Sequence, residues 1–266
     1  MHHMLNIAVR AARSAGSVIA RGFENRDELN IEQKGINDFV TKIDKEAEAT
    51  IIDKIQQAYP DHSFICEEGG SIEKNPEFTW VIDPLDGTTN FIQGIPHFAV
   101  SIALLHKGKL DQAVVFDPIR GELFAASKGG GAQLNGYRIR TSKTKDLSGT
   151  ILATAFPFRD RARYDEAIGQ FGRIFAKAGD VRRSGSAALD LAYVAAGRYD
   201  GYWEKGLRSW DMAAGELLVK ESGGLITDYA GNNDPLYAEL KAPGSSNGIV
   251  AGGPRVVQNI VKELKG

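Results

Sequence analysis

The stretch Trp80-Val81-Ile82-Asp83-Pro84-Leu85-Asp86-Gly87-Thr88-Thr89-Asn90-Phe91 decides how the whole chain is read. Trp80 to Ile82 is an apolar run with the look of a strand, and Pro84 ends it and fixes the turn. Two acids, Asp83 and Asp86, stand three apart just after it. Gly87 lets the main chain come close to a ligand, and Thr88 and Thr89 suit the opening of a short helix. N–H groups at a helix start attract an anion, above all a phosphate. Two carboxylates beside such a site repel a phosphate unless cations lie between. The combination reads as a metal-bridged phosphate site with hard oxygen ligands, for which Mg²⁺ is the natural ion. Asp-x-x-Asp after a strand is also ordinary turn chemistry, so this pattern alone leaves both readings open. Asp117-Pro118 serves as a comparison: it too is Asp-Pro after a strand, but no Gly-Thr-Thr follows, and it reads as a plain hairpin turn.

Around this segment the texture changes once. Leu5, Ala8, Ala12, Ala15 and Ile19 recur at helical spacing, and the helix stops near Gly22. Ile43, Ala47, Ile51, Ile55 and Ala58 mark a second helix from Thr41 to Tyr59, with Pro60 behind it. Strand-like runs follow at 63–66, 78–82, 98–105, 112–116 and 122–126. Lys107-Gly108-Lys109, Pro118 to Gly121 and Asn135-Gly136 supply hairpin turns. Residues from about 60 to 140 therefore read as an antiparallel sheet behind two helices. Beyond about 150, strands and helices alternate: strands near 151–155, 199–203, 225–227 and 248–251, helices near 164–178, 187–196, 212–222 and 254–264. That alternation reads as α/β. The division is expected at 1–145, α+β with the acidic motif, and 146–266, α/β and completing the site. Lys241 to Asn247 reads as a turn-rich loop.

Two further acidic segments matter. Cys66-Glu67-Glu68-Gly69 ends a strand with paired acids, and Trp210-Asp211-Met212-Ala213-Ala214-Gly215 puts an acid at a helix start. By itself Asp211 could simply favour the helix dipole. Together with the Asp83 to Phe91 run, in this order and spacing, these segments resemble the inositol monophosphatase family of the lithium-sensitive, magnesium-dependent sugar phosphatases. The likeness covers essentially the whole chain. It is nearest to the bacterial SuhB type, through the Met1 to Arg13 start and Gly185-Ser186-Ala187-Ala188-Leu189-Asp190. Gly69 departs from the family's usual Ser and is expected to loosen a turn without removing a ligand.

The resemblance implies a layered αβαβα sandwich of the inositol monophosphatase and fructose bisphosphatase kind. It also implies hydrolysis of inositol monophosphate by a metal-activated water, with two to three Mg²⁺ ions per site. Glu67, Asp83 and the Leu85 carbonyl would hold one ion, and Asp83, Asp86 and Asp211 a second. Thr88, backed by Asp44, would orient the water with Glu67 nearby. For Asp44 the alternative is an ordinary first-turn helix acid after Thr41. Asp86, the Gly87 and Thr88 amides, Gly185, Ser186, Ala187 and Glu204 would contact substrate. Lys34 and Asp38, in the segment from Lys34 to Thr41, would close over the metals as a mobile loop; the alternative is an exposed hairpin. The family likeness further implies a homodimer. The SuhB type implies association with NusA and RNA polymerase in ribosomal RNA antitermination, an alternative to catalysis or a companion of it. Another small phosphate ester is the nearest enzymatic rival. Electrostatics agrees with the metals: four carboxylates in one pocket cannot all stay ionised near neutral pH without cations.

Composition narrows the class. The 266 residues are 42% hydrophobic and 25% charged, as in globular proteins. A chain this long buries enough surface to need no disulfide. Lysine and arginine number 32 and acids 34, so no polycationic footprint for nucleic acid exists and no direct nucleic-acid binding is expected. One cysteine, Cys66, excludes an internal disulfide and a Cys-based zinc site. With no signal peptide and no spanning stretch read from the sequence, a cytoplasmic enzyme without membrane attachment is expected. His62, His97 and His106 stand singly and read as structural. Lys128-Gly129-Gly130-Gly131 lacks a P-loop ending and reads as a bend. Arg182-Arg183 is a candidate for an interface or a partner.

Overall fold

The computed structural model describes residues 2–25, 31–35, 38–157, 161–244 and 248–266. Helix α1 (His3–Glu24) and helix α2 (Lys42–Ala58) flank a short antiparallel hairpin, β1 (Ile31–Gly35) and β2 (Asp38–Thr41). Thr41 caps α2: its hydroxyl accepts from the Ile43 N–H while Asp44 accepts from the Thr41 N–H. This reciprocal box is a strong helix start.

The first sheet takes β3 (His62–Cys66), β4 (Gly70–Ile72), β5 (Asn75–Asp86), β6 (Ala99–His106), β7 (Lys109–Asp117), β8 (Glu122–Ser127), β9 (Gly131–Leu134) and β10 (Tyr137–Arg138). Its order is β10-β9-β8-β7-β6-β5-β3-β4. The Lys107-Gly108 and Asn135-Gly136 turns both have two consecutive left-handed residues, the geometry that matches strand twist in a two-residue hairpin. The expectation of an antiparallel sheet holds except at β3 and β5, which pair in parallel. The reason is the segment after β3. It folds back as β4 on the outer edge and returns to the start of β3, where the Asn75 N–H donates to the Asp61 carbonyl at 2.9 Å. Strand β5 also runs past Pro84, where a break had been expected. Its pairing with β6 shifts register between Asp83 and Asp86, an irregularity that accommodates a residue with no N–H to give.

The second sheet takes β11 (Ile151–Thr154), β12 (Asp180–Arg182), β13 (Gly201–Glu204), β14 (Leu225–Thr227) and β15 (Ile249–Gly252), in the order β12-β11-β13-β15-β14. Strand β11 pairs in parallel with both neighbours, whereas β15 is antiparallel to both of its own. Short strands β4 and β12 and helix α7 (Pro235–Lys241) carry too little periodicity to be legible beforehand. Within the loop expected at 241–247, residues 245–247 lie outside the described residues.

Helices sort into three layers. Trp80, Ile82, Ile102, Leu104 and Val114 face α1 and α2. Their alternates Val81, Ala103 and Val115 face the opposite way, onto α5 (Ala187–Ala195) and α6 (Ser209–Glu221). Those two helices also cover Tyr202, Ile249 and Ala251 of the second sheet. Leu152, Trp203 and Val250 point to its far side, with Ile174 of α4 (Tyr164–Phe175) and Val256 and Ile260 of α8 (Pro254–Lys265). The period-two alternation of a strand thus separates the cores of an αβαβα stack. Among the described residues no helix is long and apolar enough to cross a membrane.

Candidate active site

The three-residue step from Asp83 to Asp86 straddles the register shift at the end of β5. Asp83 is 1% exposed, and its Oδ1 accepts from the Leu85 N–H at 3.0 Å. Asp86 crosses to the other half of the chain, where its Oδ2 accepts from the Ser186 hydroxyl at 2.6 Å and the Ala188 N–H at 2.7 Å. Asp211 stands in the first turn of α6 and accepts from the Arg208 N–H at 2.6 Å. It therefore does the work of a helix-start acid as well. One carboxylate oxygen each from Asp83, Asp86 and Asp211 lie within 4.8 Å of one another.

Such closeness is costly for anions. Burial first, then the charges of Glu67, Asp86 and Asp211, hold the Asp83 carboxyl far above the usual range. Burial pushes Asp86 up to about 7 against the hydrogen bonds from Ser186 and Ala188, and the charges of Glu204 and Glu67 add to the rise. The donor set fits a divalent cation of the hard class: carboxylate oxygens converge, and a cation relieves the repulsion that raises their proton affinity.

Next to these acids the chain turns into α3 (Thr88–Ile92), with Gly87 as its N-cap at φ 101°. A Cβ on Gly87 would lie 3.0 Å from the His97 carbonyl, so both space and conformation require glycine. The Thr88 hydroxyl sits 3.0 Å from Asp44 Oδ1 and 3.0 Å from the Leu85 carbonyl, alternative acceptors for its one proton. Asp44 is buried and held up by that burial, opposed by hydrogen bonds from Thr41 and Thr88. Asp44 thus caps α2 and at the same time contacts the Thr88 hydroxyl.

A cleft of about 620 Å³ contains the centre. Of the site residues expected from sequence, it gathers Glu67, Leu85, Gly185, Ser186, Ala187 and Glu204 beside the three aspartates, Gly87 and Thr88. Asp44 stands behind Thr88 instead. Glu204 ends β13 and accepts from the Tyr202 hydroxyl. Lys34 and Asp38 belong to β1 and β2, but their side chains lie outside the described residues. Arg183, singled out only as an interface candidate, lines the cleft, whereas Arg182 pairs with Asp180.

Arg163, Asp190, Lys205 and Arg208 also line the cleft and were not expected there. Asp190 follows Gly185-Ser186 in the same segment, which was its only sequence signal. It is buried, its carboxyl pushed far up chiefly by that burial. Asp190 Oδ1 lies 4.0 Å from His97 Nε2, and neither atom finds a hydrogen bond among the described residues. Glu48 was missed as well. Its Oε1 accepts from the Gly69 N–H at 2.7 Å, so the turn after Glu67 is pinned rather than loosened at Gly69.

The profile described as the Inositol monophosphatase family matches residues 1–265. The chain belongs to the inositol monophosphatase family. Among curated relatives, a protein named Nus factor SuhB from Escherichia coli is 55% identical over 266 residues, spanning 100% of this chain and 97% of that protein. Among solved structures, the extragenic suppressor protein suhB of Bartonella henselae superposes with a TM-score of 0.94 at 39% identity, covering 99% of each chain. An inositol monophosphatase from Anabaena gives 0.83 at 36% identity, over 98% of this chain and 95% of that one. The layered α/β architecture is that of inositol monophosphatase folds.

Proposed function

We propose that this chain is a phosphoric monoester hydrolase acting on inositol monophosphate, releasing myo-inositol and phosphate with the help of Mg²⁺. One observation carries the reading: the oxygens of Asp83, Asp86 and Asp211 converge within 4.8 Å at the mouth of a helix that opens on Gly87. Glu67, Asp83, the Leu85 carbonyl, Asp86 and Asp211 would hold two to three ions. When bound, Mg²⁺ supplies positive charge for the phosphoryl oxygens and lowers the pKa of a water. Thr88 donates to Asp44, which leaves its lone pairs to accept a hydrogen bond from the attacking water and orient it. Glu67 stands on the same wall as a further acceptor. The first amides of α3 receive phosphate oxygens as helix starts do. Asp86 and Glu204 offer hydrogen-bonding oxygens to ring hydroxyls, and Gly185, Ser186 and Ala187 bring main chain close to the ring. Residues 1–145 and 146–266 act as two subdomains that meet at this cleft. Lys34 and Asp38 close over it, and the working unit is a cytoplasmic homodimer.

The test is phosphate release from a panel of esters. Activity is expected to vanish in a chelator, return with Mg²⁺ and fall with Li⁺, with inositol monophosphate preferred over bisphosphates. Full turnover in a chelator would sink the mechanism.

A second reading rests on the 55% identity to a protein named Nus factor SuhB. On it, this chain also binds NusA or RNA polymerase through a surface outside the cleft. Asp86→Asn should then abolish phosphate release and leave capture of either partner intact. Loss of capture by a folded Asp86→Asn protein would mean that the two roles share one site.

A further inference from the structure

Helix α2 carries two buried acids one turn apart, Asp44 and Glu48. Residues four apart lie on the same side of a helix, and here each reaches a different acid-bearing turn. Asp44 accepts from Thr88, just past Asp86. Glu48 is 4% exposed; its Oε2 accepts from the Glu68 N–H at 3.0 Å and its Oε1 from the Gly69 N–H at 2.7 Å. These are the two peptide groups that follow Glu67. On the other side, the Glu67 N–H donates to the Ile82 carbonyl at 3.2 Å. The main chain is therefore tied before and after the Glu67 side chain. A carboxylate receiving two N–H groups is a short, charge-assisted clamp. A Cβ at position 69 would lie 2.8 Å from Glu48 Oε1, so a side chain there displaces that oxygen from its place in the clamp.

We propose that Glu48 is a positioning residue for the acidic centre: by clamping the peptide groups after Glu67 it sets where the Glu67 carboxylate stands beside Asp83. In this role α2 is a two-toothed brace that spaces the Glu67 turn against the Thr88 turn. The inference rests on the proposed divalent-cation reading of the cleft, because Glu67 matters to the centre only as part of that set.

Calorimetric titration of Mg²⁺ into chelator-stripped protein tests it, alongside phosphate release at varied Mg²⁺ and melting in chelator. Glu48→Gln keeps the volume but turns one acceptor into an NH₂ group that cannot accept. It should weaken Mg²⁺ binding about tenfold, the lower end for groups that hold a ligand in place. Half-saturating Mg²⁺ for phosphate release should rise in step, with kcat at saturating Mg²⁺ little changed. Gly69→Ala, at an exposed position that leaves Glu48 intact, should weaken Mg²⁺ binding in the same direction by less. In the double variant the second change should add little, since both act on one clamp. Gly69→Ala carries the test if Glu48→Gln does not fold. Mg²⁺ affinity at the wild-type value in the variants, with only the melting lowered, would show Glu48 to be structural and overturn the inference alone. Fully additive effects would overturn it too. A wild-type protein that binds no Mg²⁺ would overturn the metal reading and this inference with it.

Discussion

Asp83-Pro84 and Asp117-Pro118 are the same dipeptide behind an apolar strand run, and they end in opposite chemistry. Asp117 is fully buried yet satisfied. Its Oδ1 accepts from the Ile119 and Arg120 N–H groups at 2.9 Å each, and its Oδ2 meets the Arg120 guanidinium at 2.8 Å. Asp83 is as buried but looks onto Glu67, Asp86 and Asp211. One acid closes a turn on a cation from its own loop, while the other faces further acids and calls for a cation from outside. The Asp-Pro pair does not decide this; the partners that the fold brings up do.

The largest effect should follow from breaking the acidic side. Asp211→Asn removes a proposed ligand and should lower kcat/KM at limiting Mg²⁺ by at least ~10²-fold, about 2.7 kcal/mol of transition-state stabilisation. Near-normal turnover would refute the assignment. Glu204→Ala comes next. A lost charge-assisted hydrogen bond of about 1.5–3 kcal/mol corresponds to roughly 10- to 150-fold on inositol monophosphate. A simple ester without the ring hydroxyl should suffer much less, and equal losses on both would make Glu204 structural.

Asp117→Asn should do the reverse of Asp211→Asn. Phosphate release should stay near normal, while weakening a buried ion pair costs about 1–3 kcal/mol of stability. Differential scanning calorimetry would read this as a fall in Tm, and a large loss of activity without one would erase the contrast. The smallest effect concerns pH. Asp86 is raised from 3.8 to about 7 in the folded protein. An acid with a raised folded pKa contributes stability below its unfolded pKa, which is lost as pH rises through the folded one. Without metal, the protein should therefore lose about 1 kcal/mol from this group between pH 6 and 8, roughly 2–4 °C in Tm. His62 and His97 are lowered by burial and act in the opposite sense, gaining stability as pH rises toward 6.5. The comparison to make is wild type against Asp86→Asn, whose melting should lack the fall; identical profiles would contradict the shift.

What was legible in the sequence follows from range. The Thr41 cap, the Lys107-Gly108 turn and the stretch after Asp83 are local, and local rules govern them. The Asp83, Asp86 and Asp211 cluster became readable only because the resemblance links segments more than a hundred residues apart. The parallel pairing of β3 with β5 stayed hidden because the segment that turns the chain around, 67–74, has no periodicity of its own. Glu48 stayed hidden for a related reason. An acid in mid-helix looks solvated until the fold lays two N–H groups against it. His97 and Asp190 show the same limit, since a buried pair with unmade hydrogen bonds leaves no mark on composition.

Helices α5 and α6 share one apolar core with both sheets, and β15, antiparallel to both neighbours, is the last strand to be made. During synthesis, at roughly 5–20 residues per second, Asp83 and Asp86 leave the ribosome on the order of ten seconds before Asp211. The first sheet must wait that long with the face that will meet α5 and α6 uncovered. A nascent chain stalled short of α6 would present apolar surface together with an incomplete acid set, a form recognisable to chaperones. Completion of the acid set is thereby scheduled late, with α6 rather than with the motif.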